Sequence, residues 1–162
     1  MKKKLGGAVL GLAGMAAGVV AGGAVSARAS SKKVNELMEG HRKVHALYMA
    51  FDQWLRIHQE GKTLVEYFRQ NQYQTVAIYG MKELGERLYD ELKGTDVTVR
   101  YIIDQNADMI YADVDVVTPE DVLEPVDVIV VTAIYYFDEI EENLSGKIQC
   151  PIVSLEDILY EI

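Results

Sequence analysis

The sequence predicts an α/β fold built on a parallel sheet, and three observations predict it. After Tyr73, short apolar runs alternate with amphipathic helical patterns, the order that winds a parallel sheet with helices on both faces. The fourth run, Val126 to Thr132, is apolar enough to be covered on both sides, as a central parallel strand is. The first run passes directly into a glycine turn that opens a helix. Right-handed crossovers then give the strand order 3-2-1-4-5.

Residues 1–4 form a basic start, with Lys2, Lys3 and Lys4. Leu5 to Val25 carries no charge over 21 residues. At about 1.5 Å per helical residue it spans a hydrocarbon core of roughly 30 Å, so 5–25 reads as a transmembrane anchor. Within it Gly7/Gly11, Gly14/Gly18 and Gly18/Gly22 are four apart. Such pairs share a helix face and let two backbones approach. The plainer reading is a weakly hydrophobic anchor rich in Gly and Ala. Ala27-Arg28-Ala29 has the small-x-small form of a signal cleavage site, but the apolar run exceeds the usual signal core of about 7–15 residues, which favours an uncleaved anchor. Arg28, Lys32, Lys33, Arg42 and Lys43 follow the span. Lys2, Lys3 and Lys4 precede it, so both ends qualify under the positive-inside rule and charge alone leaves the orientation open. The slightly larger basic count after the span, and the need of a nucleotide-binding domain for cytoplasmic nucleotide, favour a single-pass cell-membrane protein with its domain in the cytoplasm.

Residues 31–60 read as a helical stalk. Val34, Leu37, His41, Val44, Tyr48, Phe51, Leu55 and His58 follow a 3-4 spacing, the seam of a coiled coil. A homodimer through anchor and stalk is one reading. The other is that Leu47, Trp54 and Ile57 widen the apolar face and dock the helix on its own domain. His41 and His45 stand one turn apart, but Arg42 occupies the place where a metalloprotease helix carries Glu. Flanking Arg42 and Lys43 also oppose a bound cation, so no metal site is assigned. Gly61 breaks the helix, and Thr63 offers a cap for a short helix from Leu64 to Gln70.

Residues 61–162 form the α/β domain. Thr75 to Tyr79 is the first strand, and Lys82 to Lys93 a helix with Leu84, Leu88 and Leu92 on one face, stopped by Gly94. Val97 to Ile103 and Val114 to Val117 are the next strands. Thr118 followed by Pro119 reads as the start of a brief helix to Leu123. After the fourth strand come a helix from Tyr135 to Leu144, a short strand at Ile152 and Val153, and a last helix capped by Ser154.

Charge divides the chain. Residues 1–60 hold nine Lys/Arg and four Asp/Glu, so 9 − 4 gives +5, whereas residues 61–162 hold seven and twenty-one, so 7 − 21 gives −14. A domain that acidic is repelled by nucleic acid, which is excluded as a partner. The lone Cys150 allows no intrachain disulfide; beside Pro151, and far in sequence from any His, it reads as a half-buried structural thiol.

The candidate binding site is Gly80-Met81-Lys82-Glu83-Leu84-Gly85, the dinucleotide fingerprint G-x-G-x-x-G with Lys82 at its middle glycine. Gly80 permits the tight turn and Gly85 lets helix pack on strand, but a side chain at Lys82 obstructs a closely approaching pyrophosphate. The Lys82 ammonium instead suits a phosphate at the helix start. Asp104, ending the second strand, is placed to accept from a ribose diol, which favours an NAD-like or UDP-sugar-like nucleotide over one with a 2′-phosphate. Its structural alternative is to cap the Gln105-Asn106-Ala107 turn. Thr132 and Ala133 line the same crevice, and Tyr135-Tyr136-Phe137 beside it serve either base stacking or core packing.

The segments Val76 to Met81, Glu83 to Tyr89, Asp127 to Ala133 and Ser154 to Leu159 resemble small Rossmann-like domains of bacterial surface-polysaccharide and nucleotide-sugar proteins. With Asp52-Gln53-Trp54-Leu55 and Gln59-Glu60-Gly61-Lys62 in the stalk, the whole chain is similar to a group of short, membrane-anchored Firmicutes proteins. The resemblance implies a fold and a membrane setting rather than a reaction. Tyr89 and Lys93 have the spacing of a short-chain dehydrogenase pair, but on the wrong helix. No Walker loop and no G-x-S-x-G occurs, and all three His lie in the stalk. With no catalytic residue assigned, the expectation is a membrane-anchored nucleotide or nucleotide-sugar binding module. The alternatives are a ligand-free Rossmann-like scaffold for assembly, or a degenerate NAD-dependent enzyme subunit.

Overall fold

The computed structural model describes the backbone of residues 8–162 and the side chains of residues 31–162. The anchor read at residues 5–25 lies outside the residues whose side chains are described. Among the described residues, no helix is long and apolar enough to cross a membrane. The chain divides into two compact units, Met1–Lys43 and Val44–Ile162. Helix α1 runs Ala8–Gln59. In the first unit its described part carries the i,i+4 ion pairs Lys32–Glu36 at 3.9 Å and Glu39–Lys43 at 2.7 Å.

The second unit holds the rest: α2 (Val65–Gln70), β1 (Thr75–Tyr79), α3 (Glu83–Leu92), β2 (Thr98–Ile103), β3 (Asp115–Val117), β4 (Val128–Val131), α4 (Phe137–Ser145), β5 (Ile152–Ser154) and α5 (Leu155–Glu161). Its five strands lie in the order β3-β2-β1-β4-β5, and every pairing is parallel. That is the expected doubly wound sheet.

Successive side chains of a strand point to opposite faces, and the core divides accordingly. Val76, Ile78, Ile102, Val128 and Val130 face one layer, formed by the end of α1 with α2, α3 and α5 through Trp54, Ile57, Phe68, Leu88 and Ile158. Ala77, Tyr79, Tyr101, Ile129 and Val131 face the other, where α4 contributes Ile140 and Leu144. The domain expected from residue 61 therefore extends back to Val44. Ala50, Trp54 and Ile57 of α1 are buried in it, so the docking reading applies to this part of the helix.

A single carboxylate secures that docking. Glu91 on α3 accepts from Trp54 Nε1 at 2.6 Å and from the Leu64 backbone N–H at 2.7 Å, with His58 Nε2 at 3.1 Å. The α2 start is thus satisfied from α3. Thr63 was the expected cap, but no side-chain cap bond forms within the segment, and Leu64 is the N-cap. A second departure lies between β3 and β4. Thr118–Leu123 is a turn rather than a helix, with Asp121 Oδ2 accepting from Thr118 N at 2.7 Å and Thr118 Oγ1 at 2.8 Å. Pro125 disfavours helical backbone at Glu124, so the turn is not propagated. Ser154 does cap α5, accepting from Glu156 N at 3.2 Å.

Candidate functional site

The register aligns Tyr79 with both Ile103 and Val131, so Gly80, Asp104 and Thr132 leave the sheet side by side at its C-terminal edge. This edge, where the winding reverses between β1 and β4, is where open α/β sheets bind ligands.

Both glycines of the turn are required by geometry. Gly80 has φ +91, a conformation that a Cβ strains. A Cβ on Gly85 would stand 2.0 Å from the Gly80 carbonyl oxygen, so only glycine lets α3 sit this close to the end of β1. Thr132, buried, completes the turn: its Oγ1 lies 2.7 Å from Gly80 O and 3.1 Å from Tyr79 O. Asp104 takes the structural role as well. Its Oδ1 accepts from Asn106 N at 2.9 Å, capping the following turn, and its Oδ2 accepts from Met81 N at 3.1 Å. A carboxylate has about four acceptor sites, so these two bonds leave capacity for a diol.

Lys82 is the N-cap of α3, and no side chain caps the helix. The first N–H groups of a helix have no intrahelical acceptor. Arg56, Lys62, Arg69, Arg87, Lys93, Arg100 and Lys147 each stand within salt-bridge distance of a carboxylate. Among the described residues of the second unit, Lys82 is the Lys or Arg without one. Ala133 is half-buried beside the crevice, and the 3-10 turn Ile134–Tyr136 follows it. Tyr135 and Tyr136 are exposed there, packed edge to face at 5.5 Å, so of the two uses read from sequence the core does not take these two rings; Phe137 is half-buried.

A cleft of about 570 Å³ opens at the same edge on the α4 side, between the loop after β3 and the end of α4. Tyr79 forms part of its lining. Burial pushes the Tyr79 phenol above its ordinary range, a hydrogen bond with Gln105 opposes this, and Asp104 and Glu120 add to the rise. The phenol is therefore a neutral donor at physiological pH. Asn143 and Lys147 of this cleft escaped the sequence reading, because α4 brings them to Pro119 and Glu120 across a crossover and no motif spacing marks the meeting. Cys150 is half-buried, and burial raises its thiol, which makes it a poor nucleophile at neutral pH.

Fold and edge together define a small doubly wound α/β domain with a glycine turn at its switch point. Against known proteins, no family model, no curated protein and no solved structure matches this chain.

Proposed function

We propose that the α/β domain binds a phosphate-bearing nucleotide or nucleotide sugar at the C-terminal edge of its sheet, as a binding module rather than an enzyme. Lys82 carries the reading. In an acidic domain whose other cations pair with carboxylates, this one ammonium stands unpaired at an uncapped helix start. An anion there meets oriented N–H groups, the helix dipole and the ammonium together. Asp104 supplies a diol acceptor one strand away. The engagement of Asp104 and Thr132 within the turn favours the second reading, a ligand-free scaffold whose glycines serve geometry alone.

Titration calorimetry on the full chain with mononucleotides, NAD and UDP-sugars separates the two. The expected outcome is saturable binding, weakened by about tenfold or more in Lys82→Ala, because a charge-assisted hydrogen bond contributes about 1.5–3 kcal/mol. Lys82→Gly should weaken a mononucleotide likewise, yet restore room for a dinucleotide. An absence of heat with every nucleotide at millimolar concentration establishes the scaffold instead.

A further inference from the structure

The cleft on the α4 side is lined in part by Thr118, Pro119 and Glu120 of the connection from β3 to β4, which crosses the sheet without a helix. Its loop is nonetheless held firmly. Besides the Asp121 turn, Tyr101 Oη donates to Glu124 O at 2.7 Å, and Lys147 Nζ donates to Pro119 O at 2.8 Å. The cleft volume of about 570 Å³ falls within the range of about 300–1,000 Å³ common for small-molecule sites.

Its chemistry differs from that of the glycine turn. Lys147 and Glu120 lie 3.3 Å apart and offset each other within the lining, while Asp104 and Glu139 act on Tyr79 from beside it, so an anion gains nothing from the charge of the cleft. Gln105 and Asn143 add two side-chain amides, each able to donate and to accept. Among the described residues none hydrogen-bonds the Asn143 side chain. Pro119 and Leu144 supply a small apolar patch between these groups. Closely spaced donors and acceptors, no net charge in the lining and a limited apolar surface complement a ring with hydroxyls at its edge and C–H groups on its face. We propose that this cleft binds a neutral pyranose sugar. The inference stands on the cleft alone and does not require the nucleotide reading. Where both hold, Asp104 and its neighbour Gln105 join the two subsites, and the natural ligand is a nucleotide sugar.

The test is nuclear magnetic resonance titration of the isotope-labelled full chain, in a detergent without a sugar headgroup. Glucose, galactose and N-acetylglucosamine are added to high millimolar concentration, and inorganic phosphate is added separately. A sugar should produce saturable shifts in the Asn143 and Gln105 side-chain amides while leaving Lys82–Gly85 unmoved. Asn143→Ala should weaken that sugar by roughly 3- to 10-fold, the loss of one or two neutral hydrogen bonds, with an unchanged thermal midpoint. No saturable shift with any of the sugars, or unchanged affinity in Asn143→Ala, overturns the proposal. Phosphate reports only on Lys82–Gly85, so its failure there counts against the nucleotide reading and leaves the cleft standing.

Discussion

Gly85 and Asp127 show how single residues fix the two ends of the sheet. At the C-terminal edge, any side chain at position 85 meets a backbone carbonyl rather than a flexible neighbour. Relief requires α3 to move away from β1. Gly85→Ala is therefore expected to destabilise the fold by about 3 kcal/mol or slightly more, the upper end of overpacking costs, as read by denaturant midpoint. At the opposite edge Asp127 Oδ2 accepts from Gln74 N at 2.8 Å, Thr75 N at 2.7 Å and Thr75 Oγ1 at 2.8 Å. These bonds favour the charged form and hold its carboxyl below the usual range, with the Thr75 and Gln74 N–H groups the largest causes. A folded-state value below the unfolded one stabilises the protein above the unfolded pKa of about 3.9, and that contribution is lost as pH falls through the folded value. Acid titration of the melting temperature should accordingly show a shallower loss below pH of about 4 in Asp127→Asn than in the wild type, from a lower starting stability. An identical acid slope would mean that the three bonds carry no linkage.

Helix α1 presents two different faces. Ala50, Trp54 and Ile57 turn into the core, whereas Val44 is 67% and Tyr48 63% exposed, with Leu55 at 58%. In the first unit Val34 and Leu37 are exposed as well. Docking in the second unit takes up two seam residues, Phe51 against the core and His58 against Glu91, but leaves Val44, Tyr48 and Leu55 exposed, and we propose that this remainder pairs with a second copy. Large apolar side chains repeating on one helix face suit another helix better than water. Cross-linking of the full chain in detergent should trap a dimer, and Val44→Glu with Tyr48→Glu should abolish it without moving the melting temperature of the monomer. A strictly monomeric wild type by light scattering would leave the seam without a partner. The docked face has its own test: Glu91→Ala strips the acceptor from Trp54 and Leu64 together and should cost about 2–4 kcal/mol, two hydrogen bonds to a charged group partly offset by water. The strand order and the glycine turn were legible because each rests on local pattern: apolar runs, glycine positions and the handedness of crossovers. The Glu91 clamp was not, since its partners lie on three separate segments. Nor was the missing helix after Thr118, where Pro119 signals a helix start but Asp121 turns back on Thr118. The same loop lines the cleft, so a sequence that predicts the helix also hides the cleft.

At the scale of the whole molecule, the division of charge motivates the last prediction. Residues 1–60 sum to +5 and residues 61–162 to −14. An acidic domain gains nothing from contact with an anionic leaflet, so any lasting membrane association must come from the basic, apolar N-terminal part. Residues 5–25 offer the uncharged length, and Arg28, Lys32 and Lys33 lie just beyond them. Basic residues within about 15–20 positions of a span favour the cytoplasmic side; Lys2, Lys3 and Lys4 qualify before it, and the side after it carries slightly more. The expected protein is thus retained in membranes after an alkaline carbonate wash, with its α/β domain in the cytoplasm, where nucleotides are supplied. Protease added to intact protoplasts should spare the domain, and protease added after lysis should destroy it. Digestion before lysis would place the domain outside and remove the cytoplasmic nucleotide pool from consideration. A mature N-terminus at Ser30 would show cleavage after Ala29 and transfer any membrane contact to the remaining helix. Release by carbonate of an uncleaved chain would show that 5–25 lies along the surface rather than across the bilayer. Full retention together with protection before lysis is the single result that supports both the anchor and its orientation.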